Sequence, residues 1–136
     1  MNRDNRKLLN DYYKELWNNW RFELAKEILA EDLIFRGSLG TTQKGIEGFV
    51  EYAKMMQQAF PDLYHAVEDV VFEGEKAAAR LVYSGIHKGK LFDYEPTGFR
   101  VRYVGASFFT FREGRIAQIW VLGDLYGLYN ELEGNR

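Results

Sequence analysis

Asp124 closes the run Trp120-Val121-Leu122-Gly123-Asp124, an apolar stretch that ends in a carboxylate. A carboxylate set among aromatic and aliphatic side chains is partly desolvated, which raises its pKa toward the range useful for proton transfer. His87, within Gly85-Ile86-His87-Lys88-Gly89, is the second candidate. A neutral imidazole facing a carboxylate shuttles a proton or orients a carbonyl. Tyr13, Tyr83 and Tyr103 carry hydroxyls that can donate to an enolate or carbonyl oxygen. Each residue also has a plainer structural reading. Asp124 directly precedes Leu125-Tyr126-Gly127-Leu128 and suits the N-cap of a last helix. His87 suits a satisfied histidine at a strand end, and a buried tyrosine commonly satisfies one hydroxyl and does nothing more. His65, beside Tyr64 near the start of its strand, reads as exposed and structural.

The elements that must position these groups follow from periodicity. Leu9, Tyr13, Leu16, Trp17 and Trp20 recur at helical spacing, with Asp4 or Asn5 available as N-cap. A second short helix is expected around Phe22 to Leu29, then a short strand from Asp32 to Arg36 and a turn-rich stretch from Gly37 to Thr42. Ile46, Phe49, Val50, Ala53, Met56 and Phe60 form a third amphipathic helix, stopped by Pro61. After Pro61 the period becomes two, and four strands are expected: Tyr64–Phe72, Lys76–Lys88, Phe99–Arg112 and Arg115–Gly123. Glu73-Gly74 and Glu113-Gly114 are tight turns between neighbours, and a last helix runs from about Leu125 to Leu132. Helices followed by an antiparallel sheet make an α+β domain, here expected over residues 1–136, and not a βαβ nucleotide fold.

A two-residue loop at Glu113-Gly114 places Arg112 opposite Arg115, and an uninterrupted ladder then places Tyr103 opposite Asp124. Cross-strand partners share a face. One face then carries Tyr103, Ser107, Phe109 and Phe111 with Trp120, Leu122 and Asp124; the other carries Arg100, Arg102, Arg112 and Arg115. Ala77, Ala79, Leu81, Tyr83 and His87 join the aromatic face by polarity. A bulge in either strand inverts part of this assignment. The expected ligand contacts are therefore Tyr13, Trp17, Tyr83, Tyr103, Ser107, Phe109 and Trp120, with Asp124 and His87 as the proton carriers.

Composition narrows the chemistry further. The chain has 136 residues, 46% of them hydrophobic and 28% charged, which is globular and suits one core. With 10 Phe, 9 Tyr and 3 Trp it is rich in rings, which serve as core filling or as the wall of a cavity. It has no cysteine, so disulfides, thiolate nucleophiles and cysteine zinc sites are excluded, and a reducing, cytoplasmic location is expected. No run is long and apolar enough for a signal peptide or membrane helix. The net charge is −2, with a basic stretch at residues 76–115 that reads as solvated strand faces and not as a nucleic-acid surface. No phosphate loop, paired-histidine metal spacing or Gly-x-Ser-x-Gly elbow occurs, so neither a metal nor a cofactor is expected.

A series of motifs resembles the SnoaL-like polyketide cyclases (ester cyclases) of the nuclear transport factor 2-like superfamily. They are Ala59-Phe60-Pro61-Asp62-Leu63, Gly85-Ile86-His87-Lys88-Gly89, Pro96-Thr97-Gly98, Glu113-Gly114-Arg115-Ile116, Trp120-x-x-x-Asp124 and Leu132-Glu133-Gly134, spanning about Leu8 to Gly134. The resemblance implies a cone-shaped α+β barrel: N-terminal helices on a strongly curved, mainly antiparallel sheet around a deep apolar pocket, commonly as a homodimer. It places the family's acid/base aspartate on Asp124, where family cyclases assist aldol ring closure of a polyketide ester without metal or cofactor. Ile119 departs from the pattern, standing where many relatives have histidine. The superfamily also includes ketosteroid isomerase, in which a carboxylate base works opposite an oxyanion hole. By analogy Asp124 carries the proton and Tyr103 or His87 is the electrophilic partner.

Three readings stand. The chain is a cofactor-independent cyclase, isomerase or lyase acting on a small apolar carbonyl or aromatic compound; or a binding protein that holds such a molecule without turnover; or an assembly module whose arginine-bearing sheet face docks a partner. A homodimer through the sheet face is expected in any of these.

Overall fold

The computed structural model describes residues 4–135. The Asp4 carboxylate accepts a hydrogen bond from the Lys7 N–H at 2.8 Å and caps α1 (Asn5–Asp11). The chain continues as a π-helical turn over Tyr12–Trp17. Sequence spacing predicts one regular helix through Trp20. The wider π turn is the difference, and it buries the consecutive Tyr12 and Tyr13 along with Leu16 and Trp17. A 3-10 turn (Phe22–Leu24) and α2 (Ala25–Ile28) form the expected second helix. The third, α3 (Gly45–Ala59), buries Phe49, Tyr52, Ala53 and Met56.

Six strands make one sheet: β1 (Leu29–Arg36), β2 (Thr42–Lys44), β3 (Tyr64–Glu73), β4 (Lys76–Ile86), β5 (Arg100–Arg112) and β6 (Arg115–Gly123). Their order is β2-β1-β6-β5-β4-β3, so β2 and β3 are edges and the sheet does not close. Only the β1–β6 pair is parallel among the described strands. β1 begins at Leu29 and not at Asp32, and β2 extends past the stretch read as a turn. α4 (Leu125–Leu132) packs against β5, and α3 against β1. The fold is the expected α+β cone, with helices covering the inner face of a mainly antiparallel sheet.

The β5–β6 hairpin turns at Glu113 and Gly114, whose φ angles of 53° and 75° suit a two-residue hairpin turn, and Arg112 pairs with Arg115 as expected. Further along, Phe111 pairs with Ile116 but Thr110 pairs with Gln118, so Ala117 is an extra residue on β6. Ile116 and Ala117 are both buried. Beyond this bulge every β6 side chain has changed face. Ile119 and Val121 point inward and Trp120 and Leu122 outward, the reverse of the sequence expectation. A second bulge lies in β3, where Val67 pairs with Leu81 and Asp69 with Arg80, leaving Glu68 extra. It brings His65 opposite Tyr83, on the inner face, so the expectation of an exposed His65 is also reversed.

Candidate active site

The inner face and the helical layer enclose a chamber of about 20 Å³, lined by Tyr12, Tyr13, Trp17, Phe35, Ser38, Tyr52, Met56, His65, Tyr83, Tyr103 and Val121. That space is enough for roughly one water molecule. The π turn supplies Tyr12, Tyr13 and Trp17 together, because its extra residue per turn keeps all three on the sheet side. β4 and β5 supply Tyr83 and Tyr103, cross-strand partners whose rings lie 4.6 Å apart. Gly105 makes room for this pair: a Cβ there would come within 2.8 Å of the Tyr83 ring and 3.0 Å of the Leu122 carbonyl. Gly37 does the same for Tyr52, whose ring would meet a Cβ at 2.3 Å.

The wall is polar at a few points. Tyr13 Oη lies 2.8 Å from Ser107 Oγ, and Ser38 Oγ lies 2.9 Å from Tyr103 Oη. Tyr52 accepts from the Leu39 N–H at 3.3 Å. Burial pushes the Tyr12, Tyr13, Tyr52, Tyr83 and Tyr103 hydroxyls upward in pKa, so all five stay protonated hydrogen-bond donors at neutral pH.

His65 is the titratable base of this chamber. Its ring lies 4.7 Å from Trp17, 5.0 Å from Tyr83 and 5.6 Å from Tyr13. Nδ1 is buried with no hydrogen-bond partner, and burial lowers the imidazole pKa to about 3. Asn18, just past the π turn, holds this stretch of the edge strand. Its amide donates to the His65 carbonyl at 3.0 Å and accepts from the His65 N–H at 2.7 Å. On the outer side, Tyr13 and His65 also border an open groove with Lys7, Lys14, Asn18 and Tyr64. The two side chains are thus shared by the chamber and the groove.

The predicted site residues separate into three groups. Tyr13, Trp17, Tyr83 and Tyr103 meet at the chamber. Ser107 sits behind it on Tyr13, and Phe109 packs edge-on to Tyr12 and Tyr13 as core. Trp120, Asp124 and His87 lie elsewhere. Trp120 is on the outer face, 40% exposed, with the Arg36 guanidinium 4.9 Å from its ring and Phe108 at 5.9 Å. Asp124 is exposed, its N–H bonded to the Val104 carbonyl at 2.8 Å and its Oδ1 accepting from the Gly127 N–H at 2.9 Å as the cap of α4. It does not face Tyr103, because the Ala117 bulge shifts the register. His87 is fully buried. Its Nδ1 accepts from the Thr97 N–H at 3.1 Å, and its backbone bonds both Phe99 and Gly98, which ties down the loop after β4. Burial lowers its pKa, and among the described residues its ring neighbour is Phe60, not a carboxylate.

Sequence reasoning missed His65, Ser38, Tyr12 and Tyr52. Glu68-Asp69, two consecutive charges that interrupt the alternation of β3, is the signal that could have flagged the bulge and turned His65 inward. Tyr52 follows Phe49 by one helical repeat and was legible as buried. Ser38 lies in a turn, where spacing carries no facing information. Among the described residues no cluster of three or more His, Asp or Glu side chains could hold a metal ion. No helix of the described residues is long and apolar enough to cross a membrane.

Known structures share this architecture. TsrD from Streptomyces laurentii is 25% identical, with a TM-score of 0.84 over 96% of this chain and 95% of that one. IdmH from Streptomyces antibioticus, a candidate polyketide cyclase, is 24% identical, with a TM-score of 0.83 over 96% and 99%. A candidate SnoaL-like polyketide cyclase from Jannaschia sp. CCS1 is 19% identical, with a TM-score of 0.86 over 94% and 90%. None of the curated proteins matches the chain. The profile of the SnoaL-like polyketide cyclases matches residues 7–132, nearly the whole of the described fold, and the chain belongs to that family.

Proposed function

We propose that this chain is a cofactor-independent acid/base enzyme of the SnoaL-like cyclase type: an aldol cyclase, isomerase or lyase acting on a neutral, apolar carbonyl compound inside the cone. One observation carries this reading. A single imidazole, His65, is held among Tyr13, Trp17 and Tyr83 at a chamber whose other lining groups are apolar or hydroxyl-bearing. Removing a proton beside a carbonyl needs a base within hydrogen-bond reach, and no carboxylate lines the chamber. His65 therefore takes the role that the family resemblance assigns to Asp124, and His87 serves the loop that it anchors.

His65 is neutral in its resting state and accepts the proton from the α-carbon. Burial alone makes it a weak base, with a pKa of about 3. An enolate forming beside the imidazolium favours its charged form and raises its proton affinity within the complex. The protonated hydroxyls of Tyr13 and Tyr103 supply donors for the enolate oxygen. A chamber of about 20 Å³ admits such a compound only when Trp17 or the Tyr13–His65 pair moves.

Proton–deuterium exchange at the α-carbon of cyclohexanone, followed by NMR in heavy water, tests this directly. Accelerated exchange that persists in Asp124→Asn and is lost in His65→Gln supports His65. The opposite pattern returns the role to Asp124.

A second reading, ligand binding without turnover, draws on the small chamber and the low basicity of its one imidazole. A ligand recovered chemically unchanged, with equal affinity in His65→Gln, favours it. In either reading we infer a homodimer through the outer sheet face. There Val104, Phe108, Trp120 and Leu122 stand 40–54% exposed on the adjacent strands β5 and β6. A contiguous apolar patch of this kind on a sheet marks an interaction surface.

A further inference from the structure

Asn18 meets a single residue of the edge strand β3 twice. Its Nδ2 donates to the His65 carbonyl at 3.0 Å, and its Oδ1 accepts from the His65 N–H at 2.7 Å. One residue of a hydrogen-bonded antiparallel pair makes the same two-way exchange with its partner. Here a side chain from the helical layer makes it, on the side where β3 has no neighbour among the described strands. Asn and Gln are the side chains that carry a donor and an acceptor in one planar amide, as the peptide group does.

Holding both backbone groups of one residue fixes where its side chain points, because strand side chains stand roughly perpendicular to the hydrogen-bonding plane. His65 sits where the strand itself holds this direction least. The ladder to β4 is interrupted by the extra Glu68 three residues on, and β4 is the one strand beside it. Asn18 also follows Trp17, whose indole lies 4.7 Å from the imidazole. The Asn18 N–H bonds the Tyr13 carbonyl, five residues back, at 2.9 Å, so the π turn seats both contacts to His65 together.

We propose that Asn18 is a positioning residue for His65, its amide standing in for the absent neighbour strand and keeping the imidazole on the inner face against Trp17 and Tyr83. Without the amide, the imidazole is released toward the open groove that it borders, whose charged side chains are Lys7, Asp11, Lys14 and Glu15. The consequence for turnover rests on the reading of His65 as the base; the consequence for the histidine itself does not.

The second histidine serves as an internal control. Asn18→Leu keeps the bulk of the side chain and removes both bonds. By NMR its His65 imidazole is expected to titrate about one pH unit or more above the wild type, because contact with water favours the charged form. His87, tied to Thr97 and Phe99, is expected to keep its wild-type titration. The His65 amide is expected to exchange with solvent about tenfold faster, the value of roughly one hydrogen bond. An unchanged His65 titration overturns the proposal, and so does an equal shift of both histidines, which reports a generally loosened fold. Asn18→Ala takes the same measurements if Asn18→Leu does not fold. A wild-type His65 amide without protection from exchange overturns it with no variant at all.

Turnover tells the two readings apart. Where the wild type accelerates α-carbon exchange of cyclohexanone, Asn18→Leu is expected to lower kcat roughly tenfold or more with KM little changed, the effect of a misplaced group. An unchanged rate overturns the positioning role. A wild type without any exchange removes the catalytic reading alone, and the titration and amide exchange still decide what Asn18 does.

Discussion

The imidazole of His65 lies 4.7 Å from the indole of Trp17, ring centre to ring centre, with the planes tilted by 34°. One ring comes from an edge strand and the other from a π-helical turn. Their contact closes the cone between sheet and helical layer, and its polar member is kept neutral by burial.

That neutrality predicts a pH dependence. In the folded chain the His65 pKa is depressed to about 3, against about 6.5 in an unfolded chain. The unfolded state therefore takes up the proton first. The stabilisation is fully present above about pH 6.5 and is lost as pH falls toward 3. At about 1.4 kcal/mol per pKa unit, roughly 2 kcal/mol is expected to go between pH 7.5 and pH 5. His87, also depressed by burial, acts in the same direction. Urea unfolding at the two pH values should give a clearly smaller drop in His65→Phe than in the wild type. Equal drops would contradict the burial of an uncharged His65.

Trp17→Ala should cost about 3–5 kcal/mol, the usual range for a large aromatic removed from a core. The indole is 3% exposed and touches Tyr12, Trp20, Phe49, Tyr52 and His65. A denaturant midpoint with an unchanged slope would measure it. A cost below about 1 kcal/mol would mean that the layer collapses around the loss.

Asp124→Ala should lower stability by about 0.5–2 kcal/mol through loss of the α4 cap, while Asp124→Asn, another good N-cap, should fall within a few tenths of wild type. Thermal unfolding of both variants checks this. If Asn proves as damaging as Ala, charge and not capping is what the position requires.

Tyr103→Phe leaves Ser38 Oγ without its 2.9 Å partner. The Tyr52 hydroxyl also hydrogen-bonds Ser38, so the expected loss is that of one hydrogen bond, about 0.5–1.5 kcal/mol, and the double variant Tyr103→Phe/Ser38→Ala should cost less than the sum of its parts. A double-mutant cycle by urea unfolding reads the coupling directly, and strict additivity would show that the pair does not interact.

Leu122→Asp, on the outer face at 54% exposure, should convert the inferred dimer to a monomer while leaving the inner face untouched. Sedimentation at micromolar concentration decides the matter. A wild-type chain that already sediments as a monomer removes the dimer from consideration.

Much of this molecule was legible from the chain alone. Helical spacing, the break at Pro61 and the switch to period two give the helices first and the sheet after. The inward set of β4 and β5, including Tyr83, Tyr103, Ser107 and Phe109, follows from polarity because those two strands pair without interruption from Lys76 to Ile86. The motif series reaches the family that the whole-chain comparison establishes.

The candidate site turns on two bulge residues. Ala117 in β6 and Glu68 in β3 are each one residue too many for their ladders. Because strand side chains alternate with a period of two, a single extra residue sends everything beyond it to the opposite face. The first bulge carries Trp120 out to the solvent face, shifts the register that had put Asp124 opposite Tyr103, and turns Ile119 and Val121 in. The second turns His65 in. Sequence by itself determined which residue types the cone has to work with: tyrosines, two histidines and a carboxylate at the end of an apolar strand. Tertiary structure decided which of them meet, since a bulge is settled by the packing of both strands at once and not by the residues of either one.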